Sequence, residues 1–272
     1  MDVFDGIRFR KQQEVAARKY EFPEYRLEQC TFFKRPVLSL SRALSMPGAN
    51  GIIAECKRSS PDFSVFPNRN SLKSLCAAFA KSGAVALAIQ TETSASGWQV
   101  KDIIRASEHR SCPILQCDFL IDAYQIVEAK AFGADAIVLI SGLLPDKQLE
   151  LLANLAKSIG LEVFLEVQGV EDLTPVCTTA DGIIVNNINR SKPGEISLLH
   201  SWEIRHHLPS DKIKISKGGI CDPQSVVDLR DAGYEGFIVG KHFLQQKNPG
   251  AACKKFIQQI NDKDNLLHGA IA

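Results

Sequence analysis

Nowhere does an apolar run in this chain approach the roughly 20 residues that span a bilayer, and no targeting segment stands out. The expected compartment is therefore the cytoplasm, with no membrane partner. Charge of one sign is equally scarce: 32 Lys and Arg face 31 Asp and Glu, a formal charge of +1. That balance does not point to a broad nucleic-acid surface and leaves room for a local anion pocket. Basic residues are spread along the helices without the interleaved aromatics that would stack bases, so no nucleic-acid partner is expected.

Metal chemistry is also missing. The eight cysteines lack the close paired spacing of zinc ligands, and no secretory hydrophobic region precedes them. They read as reduced structural thiols. His206 and His207 are adjacent and project in different directions, while His109, His200, His242 and His268 form no ligand cluster. No metal is expected, and no Ser-His-acid order can be assigned.

What the chain does contain is a repeat. Eight short apolar runs recur at Ile52–Lys57, Val85–Thr91, Ile114–Phe119, Ala136–Ser141, Val163–Gln168, Gly182–Asn187, Ile213–Lys217 and Gly236–Lys241. Each is followed by a segment of helical period, such as 72–81 with Leu72, Leu75, Cys76 and Phe79 on one stripe. The alternation predicts a single α/β domain, a (β/α)8 TIM barrel over residues 51–265. An open doubly wound sheet explains eight evenly spaced units less naturally. Residues 1–50 form an N-terminal helical extension and 266–272 a C-terminal tail. The extension should hold a helix over 3–19, packed through Ile7, Val15 and Ala16 with its charges facing solvent. Phe32, Phe33, Val37 and Leu38 lead into a second short element, before Pro47-Gly48 interrupts the chain.

In such a barrel the strand C-termini build the reaction site. Glu55 and Lys57 alternate onto one face of the first strand, as a structural salt bridge, a clamp for a substrate carboxylate or a proton-transfer pair. Glu166 and Asn186 end the fifth and sixth strands and join them as catalytic candidates. Ser60 is placed either on a substrate carboxylate or in a turn. Asp118 and Asn187, one residue out of phase, should hold loops. Gly218-Gly219 after the seventh strand and Gly240 after the eighth can offer backbone N–H groups to a phosphate, with Lys241 adding charge, although ordinary turns also use such glycines.

Longer stretches carry a family likeness. They are 51–61 (GIIAECKRSSP), 113–119 (PILQCDF), 121–126 (IDAYQI) with Glu128-Ala129, 133–136 (GADA), 165–167 (LEV) and 185–187 (VNN). Together, over roughly residues 10–265, the chain resembles indole-3-glycerol phosphate synthase. The resemblance implies a lyase of tryptophan biosynthesis that needs no cofactor. Its phosphorylated small-molecule substrate would be 1-(2-carboxyphenylamino)-1-deoxyribulose 5-phosphate, closed and decarboxylated to indole-3-glycerol phosphate. It also implies that Glu55, Lys57, Glu166 and Asn186 act in catalysis and that Ser60 contacts the carboxylate. Gly219 and Gly240 would bind phosphate.

Three motifs depart from the family pattern. The third-strand Lys-Asp-Phe is Cys117-Asp118-Phe119. The sixth-strand Asn-x-Arg-Asp is Asn186-Asn187-Ile188-Asn189. The seventh-strand Glu-Ser-Gly-Ile is Lys217-Gly218-Gly219-Ile220. Cys117 and Lys217 are still placed against substrate, Cys117 as a small buried replacement. Lys217 is read as a phosphate contact or salt bridge, with a proton donor on a new strand as the sharper alternative. Two further readings follow from these departures: another phosphosugar-processing barrel enzyme, or a non-catalytic phosphosugar-binding protein. A monomer is the simpler expectation, with an oligomer left open.

Overall fold

Strands buried on both faces must read as continuous apolar runs, and all eight runs become such strands. They are β1 (Ile52–Cys56), β2 (Ala86–Gln90), β3 (Ile114–Cys117), β4 (Ala136–Ile140), β5 (Glu162–Val167), β6 (Gly182–Asn186), β7 (Ile213–Lys217) and β8 (Gly236–Val239). In this computed structural model they close in sequence order into a parallel barrel, β8 pairing back onto β1. Residues 4–59, 71–92, 98–108, 111–189, 192 and 195–269 are described. Ser60, Pro61, Pro67 and His109 therefore lie outside the described residues. Most strands stop one or two residues before the apolar run does, because the last residues leave the ladder for the βα loops.

Side-chain alternation sorts each strand into two cores. Ile53, Ala88, Leu115, Val138, Phe164, Ile184, Ile215 and Ile238 fill the barrel. Their neighbours Ile52, Ala54, Leu87, Ile137, Leu165, Ile183 and Val239 face the surrounding helices. Those helices are α4 (Leu72–Lys81), α5 (Ile103–Ser107), α6 (Ala123–Phe132), α7 (Asp146–Ser158), α8 (Val176–Thr179), α9 (Leu199–Ile204), α10 (Pro223–Asp231), α11 (Lys241–Leu244) and α12 (Pro249–Gly269), preceded by α1 (Asp5–Glu21), α2 (Glu24–Leu27) and α3 (Leu40–Ser45) in the extension. The stripe Leu72, Leu75, Cys76 and Phe79 is buried, and the Ser71 hydroxyl caps its helix by accepting from Ser74 N–H. Among the described residues no helix is long and apolar enough to cross a membrane.

The extension works at both ends of the barrel. Helix α3 plugs the end where strands begin: Leu40 and Leu44 join the interior core. Glu162, at the start of β5, accepts from Ser39 Oγ at 2.6 Å and from the Leu40 and Ser41 N–H groups at 2.7 and 3.1 Å. That carboxylate satisfies the first exposed amides of α3 and complements its dipole. Helix α1 lies at the opposite end, beside the loops after β2, β3 and β4. Arg8 donates to the Leu143 carbonyl, and Lys19 pairs with Asp122.

One expectation for the extension fails. The charges of α1 do not all face solvent: Lys11 is buried, with its Nζ 2.7 Å from Asp118 Oδ1 and 2.5 Å from Glu92 Oε2, while Ala16 is exposed. A helical pattern shows which face packs, but not that barrel loops hold carboxylates waiting for a cation. Residues 32–38 are themselves neither helix nor strand and lead into the short helix α3. Their polar groups are met by the barrel instead. Leu38 N–H donates to Asp135, Lys130 Nζ donates to the Arg35 carbonyl, and the Arg35 guanidinium donates to the Ser107 and Gly133 carbonyls.

Candidate active site

The interior phase set by Ile53, Leu115, Phe164, Ile184, Ile215 and Ile238 continues to the strand ends. It sends Glu55, Lys57, Gln90, Cys117, Glu166, Asn186, Lys217 and Gly240 into one barrel mouth. The opposite phase takes Cys56 outward, where its sulfur lies 3.7 Å from that of Cys76 on α4. It also takes Asp118 onto Lys11 and Thr91. Asn187 donates to Ser216 Oγ and the Gly218 carbonyl and accepts from Ser201. Asp118 and Asn187 therefore hold the surrounding loops, as their phase requires.

Two acid–cation pairs form within the mouth. Lys57 Nζ lies 2.7 Å from Glu55 Oε2, and Gln90 Nε2 donates to Glu55 Oε1 at 2.8 Å. Across the mouth, Lys217 Nζ lies 2.7 Å from Glu166 Oε2, and Asn186 Nδ2 donates to Glu166 Oε1 at 2.8 Å. Each carboxylate thus has one ammonium on one oxygen and one amide on the other. Lys217 sits beside Asn186 in the β6–β7 register, so strand pairing places these side chains together.

Burial and charge oppose each other here. Burial works to raise the Glu55 carboxyl, but Lys57 and Lys217, with hydrogen bonds from Lys57 and Gln90, hold it below the usual carboxylate range. Burial works to lower Lys217, and the nearby Glu166, Cys117 and Glu55 more than reverse it, so this ammonium stays charged. Cys117 is buried, and that burial pushes its thiol up to about 12 against the pull of Lys217. So high a value leaves little thiolate, the form in which a cysteine acts as a nucleophile.

Above these pairs opens a pocket of about 410 Å³, within the range of small-molecule sites. Glu55, Lys57, Lys217, Gly218, Gly219, Gly240 and Lys241 line it; Glu166, Asn186 and Cys117 lie outside its lining. Gly218 and Gly219 have φ of +91° and +79°, a left-handed pair that only glycine adopts without strain. Gly240 is required for space: a Cβ there would lie 2.8 Å from the Glu55 Cβ and overlap its carboxylate. Of the residues placed in the site from sequence, Ser60 lies outside the described residues.

Sequence reasoning passed over several features of the mouth. Gln90 ends β2 in the interior phase and was legible from that phase alone. Ile188, Ile196 and Leu198 form an apolar wall beside Gly218 and Gly219, through an isolated antiparallel bridge between Ile188 and Ile196. No periodicity announces that bridge. His242 also lines the pocket, its imidazole packed on the Phe243 and Phe256 rings and lowered chiefly by burial. Among the described residues no group of His, Cys, Asp and Glu could hold a metal ion.

The family model described as "Indole-3-glycerol phosphate synthase" matches residues 4–256 of the chain. Several curated proteins of that name are similar throughout. The one from Bacteroides thetaiotaomicron is 33% identical over 95% of this chain and 99% of its own. Those from Salinibacter ruber and Paracidovorax citrulli are 31% and 30% identical, over 94% and 93% of this chain and 95% and 98% of theirs.

Proposed function

Because the chain belongs to the indole-3-glycerol phosphate synthase family, we propose that it converts 1-(2-carboxyphenylamino)-1-deoxyribulose 5-phosphate to indole-3-glycerol phosphate, carbon dioxide and water. One observation carries this reading: two carboxylate–ammonium pairs converge beside a left-handed glycine turn at one barrel mouth. Ring closure needs a proton for the sugar carbonyl oxygen, and dehydration needs a base for a methylene proton and an acid for the departing hydroxyl. Preformed pairs of opposite charge, fixed by strand register and a second hydrogen bond, suit such proton transfers because little has to reorganise.

In this reading Glu55 and Glu166 are the acid–base groups. Lys57 and Ser60 take the substrate carboxylate, and Asn186 orients Glu166 and the sugar. The turn at Gly218-Gly219, Gly240 and Lys241 receives the phosphate. Both ion pairs and the glycine turn come from one chain, so the proposal needs no second copy.

The test is product-resolved turnover of that substrate across pH, at high enzyme concentration. Indole-3-glycerol phosphate should accumulate above an enzyme-free control. Saturable binding without product would overturn the reading. It would favour a different phosphosugar chemistry, for which the apolar Ile188–Ile196 wall is the structural argument.

A further inference from the structure

The chemistry just proposed asks for a proton donor within reach of the sugar carbonyl, and the residue ending β3 is a poor one. Cys117 is 3% exposed and is absent from the pocket lining. Were it to lose a proton, it would leave an anion beside Glu55 and Glu166. Lys217 differs in each respect. It ends β7 in the interior phase and lines the pocket, and its side chain is 15% exposed, so the ammonium sits at the pocket floor without being sealed off. Glu166 fixes it at 2.7 Å, and Asn186 in turn fixes Glu166. Losing a proton would leave Lys217 a neutral amine still able to donate to that carboxylate.

Resting on the function proposed above, we infer that Lys217 is a catalytic residue, the proton donor to the sugar carbonyl oxygen at ring closure. The aryl carbon bearing the carboxylate bonds to the carbonyl carbon, and the C=O π pair moves onto oxygen, which takes a proton from the Lys217 ammonium. The electrons of the aryl–carboxylate bond then restore the aromatic ring as carbon dioxide leaves. Lys217 regains its proton from solvent. Dehydration delivers one proton to the departing hydroxyl and removes one from the adjacent methylene, so the whole sequence consumes one proton. Before transfer, the ammonium also stabilises the negative charge growing on the oxygen, which a neutral thiol cannot do. The second pair, Lys57 with Glu55, remains free for the substrate carboxylate and the dehydration step.

Three measurements on the full chain test this. Lys217→Met should lower kcat about a hundredfold or more, the scale of general acid catalysis, with KM within about threefold. Lys217→Arg keeps a cation on Glu166 but is a far weaker acid, so it should fold as the parent does and still lose about tenfold or more in kcat. A substrate analogue whose carbonyl is reduced to an alcohol develops no charge at that oxygen, and its Kd should stay within about threefold in both variants. A merely structural lysine would shift that Kd together with kcat. Retention of kcat within threefold by either variant, in an enzyme that makes product, overturns the assignment and leaves the function standing. Absence of product from the parent enzyme overturns both.

Discussion

Gly240 shows how one missing methyl group shapes a site. The residue lies directly against Glu55, so a Cβ at 240 and the carboxylate would occupy the same space. Gly240→Ala should therefore push Glu55 off Lys57 and Gln90 while leaving the strands intact. We expect kcat/KM to fall about tenfold or more, since displacements of about 1 Å in a catalytic group carry penalties of that size. The cost in urea stability should be about 1–3 kcal/mol, as for other overpacked positions. Unchanged kinetics in Gly240→Ala would mean that the position of Glu55 does not matter to turnover.

At the scale of elements, α1 is held to the barrel by buried charge. The Lys11 side chain is 2% exposed, Asp118 0% and Glu92 8%, and Lys11 is raised to about 12 because those carboxylates outweigh its burial. Removing the shared cation of such a network leaves two buried carboxylates side by side with their charge uncompensated by it. Lys11→Met should accordingly cost about 3–5 kcal/mol in chemical denaturation. A loss below about 1 kcal/mol would show that water reaches these carboxylates.

The same helix carries a pH dependence through Arg18, which lies 3.2 Å from Glu128 on α6. Burial raises the Glu128 carboxyl from 4.5 to about 7 despite the attraction of Arg18. A carboxyl raised in the folded state binds its proton more tightly there than in the unfolded chain. Its contribution to stability is therefore complete below pH 4.5 and disappears as the pH rises to about 7. Thermal unfolding of the parent and Glu128→Gln should show the parent losing on the order of 3 kcal/mol relative to the variant across that window. Parallel curves would refute the shift.

At the scale of the whole molecule, the α3 plug adds stability at the end of the barrel away from the chemistry. Leu44 of the α3 plug packs with Ile53, Ile215 and the close backbone of Gly236 at the end away from the mouth. Leu44→Ala should lose about 2–5 kcal/mol through the cavity it leaves, with kcat and KM unaltered at temperatures where the variant stays folded. A parallel fall in kcat would mean that the plug and the mouth are mechanically linked.

Sequence alone determined the eightfold repeat, the two phases of each strand and hence the convergence of Glu55, Lys57, Glu166, Asn186 and Lys217. These follow from a side-chain period of two and from the need to bury apolar runs, both local properties. Tertiary structure alone decided which donor meets which acid: Lys217 with Glu166, the Gln90 amide with Glu55, and Lys11 folded inward instead of solvated. It also decided that residues 32–38 need no ladder, and that Ile188 and Ile196 wall the glycine turn. Those outcomes depend on distances between segments far apart in the chain, set by strand register and barrel closure, and no local pattern encodes them.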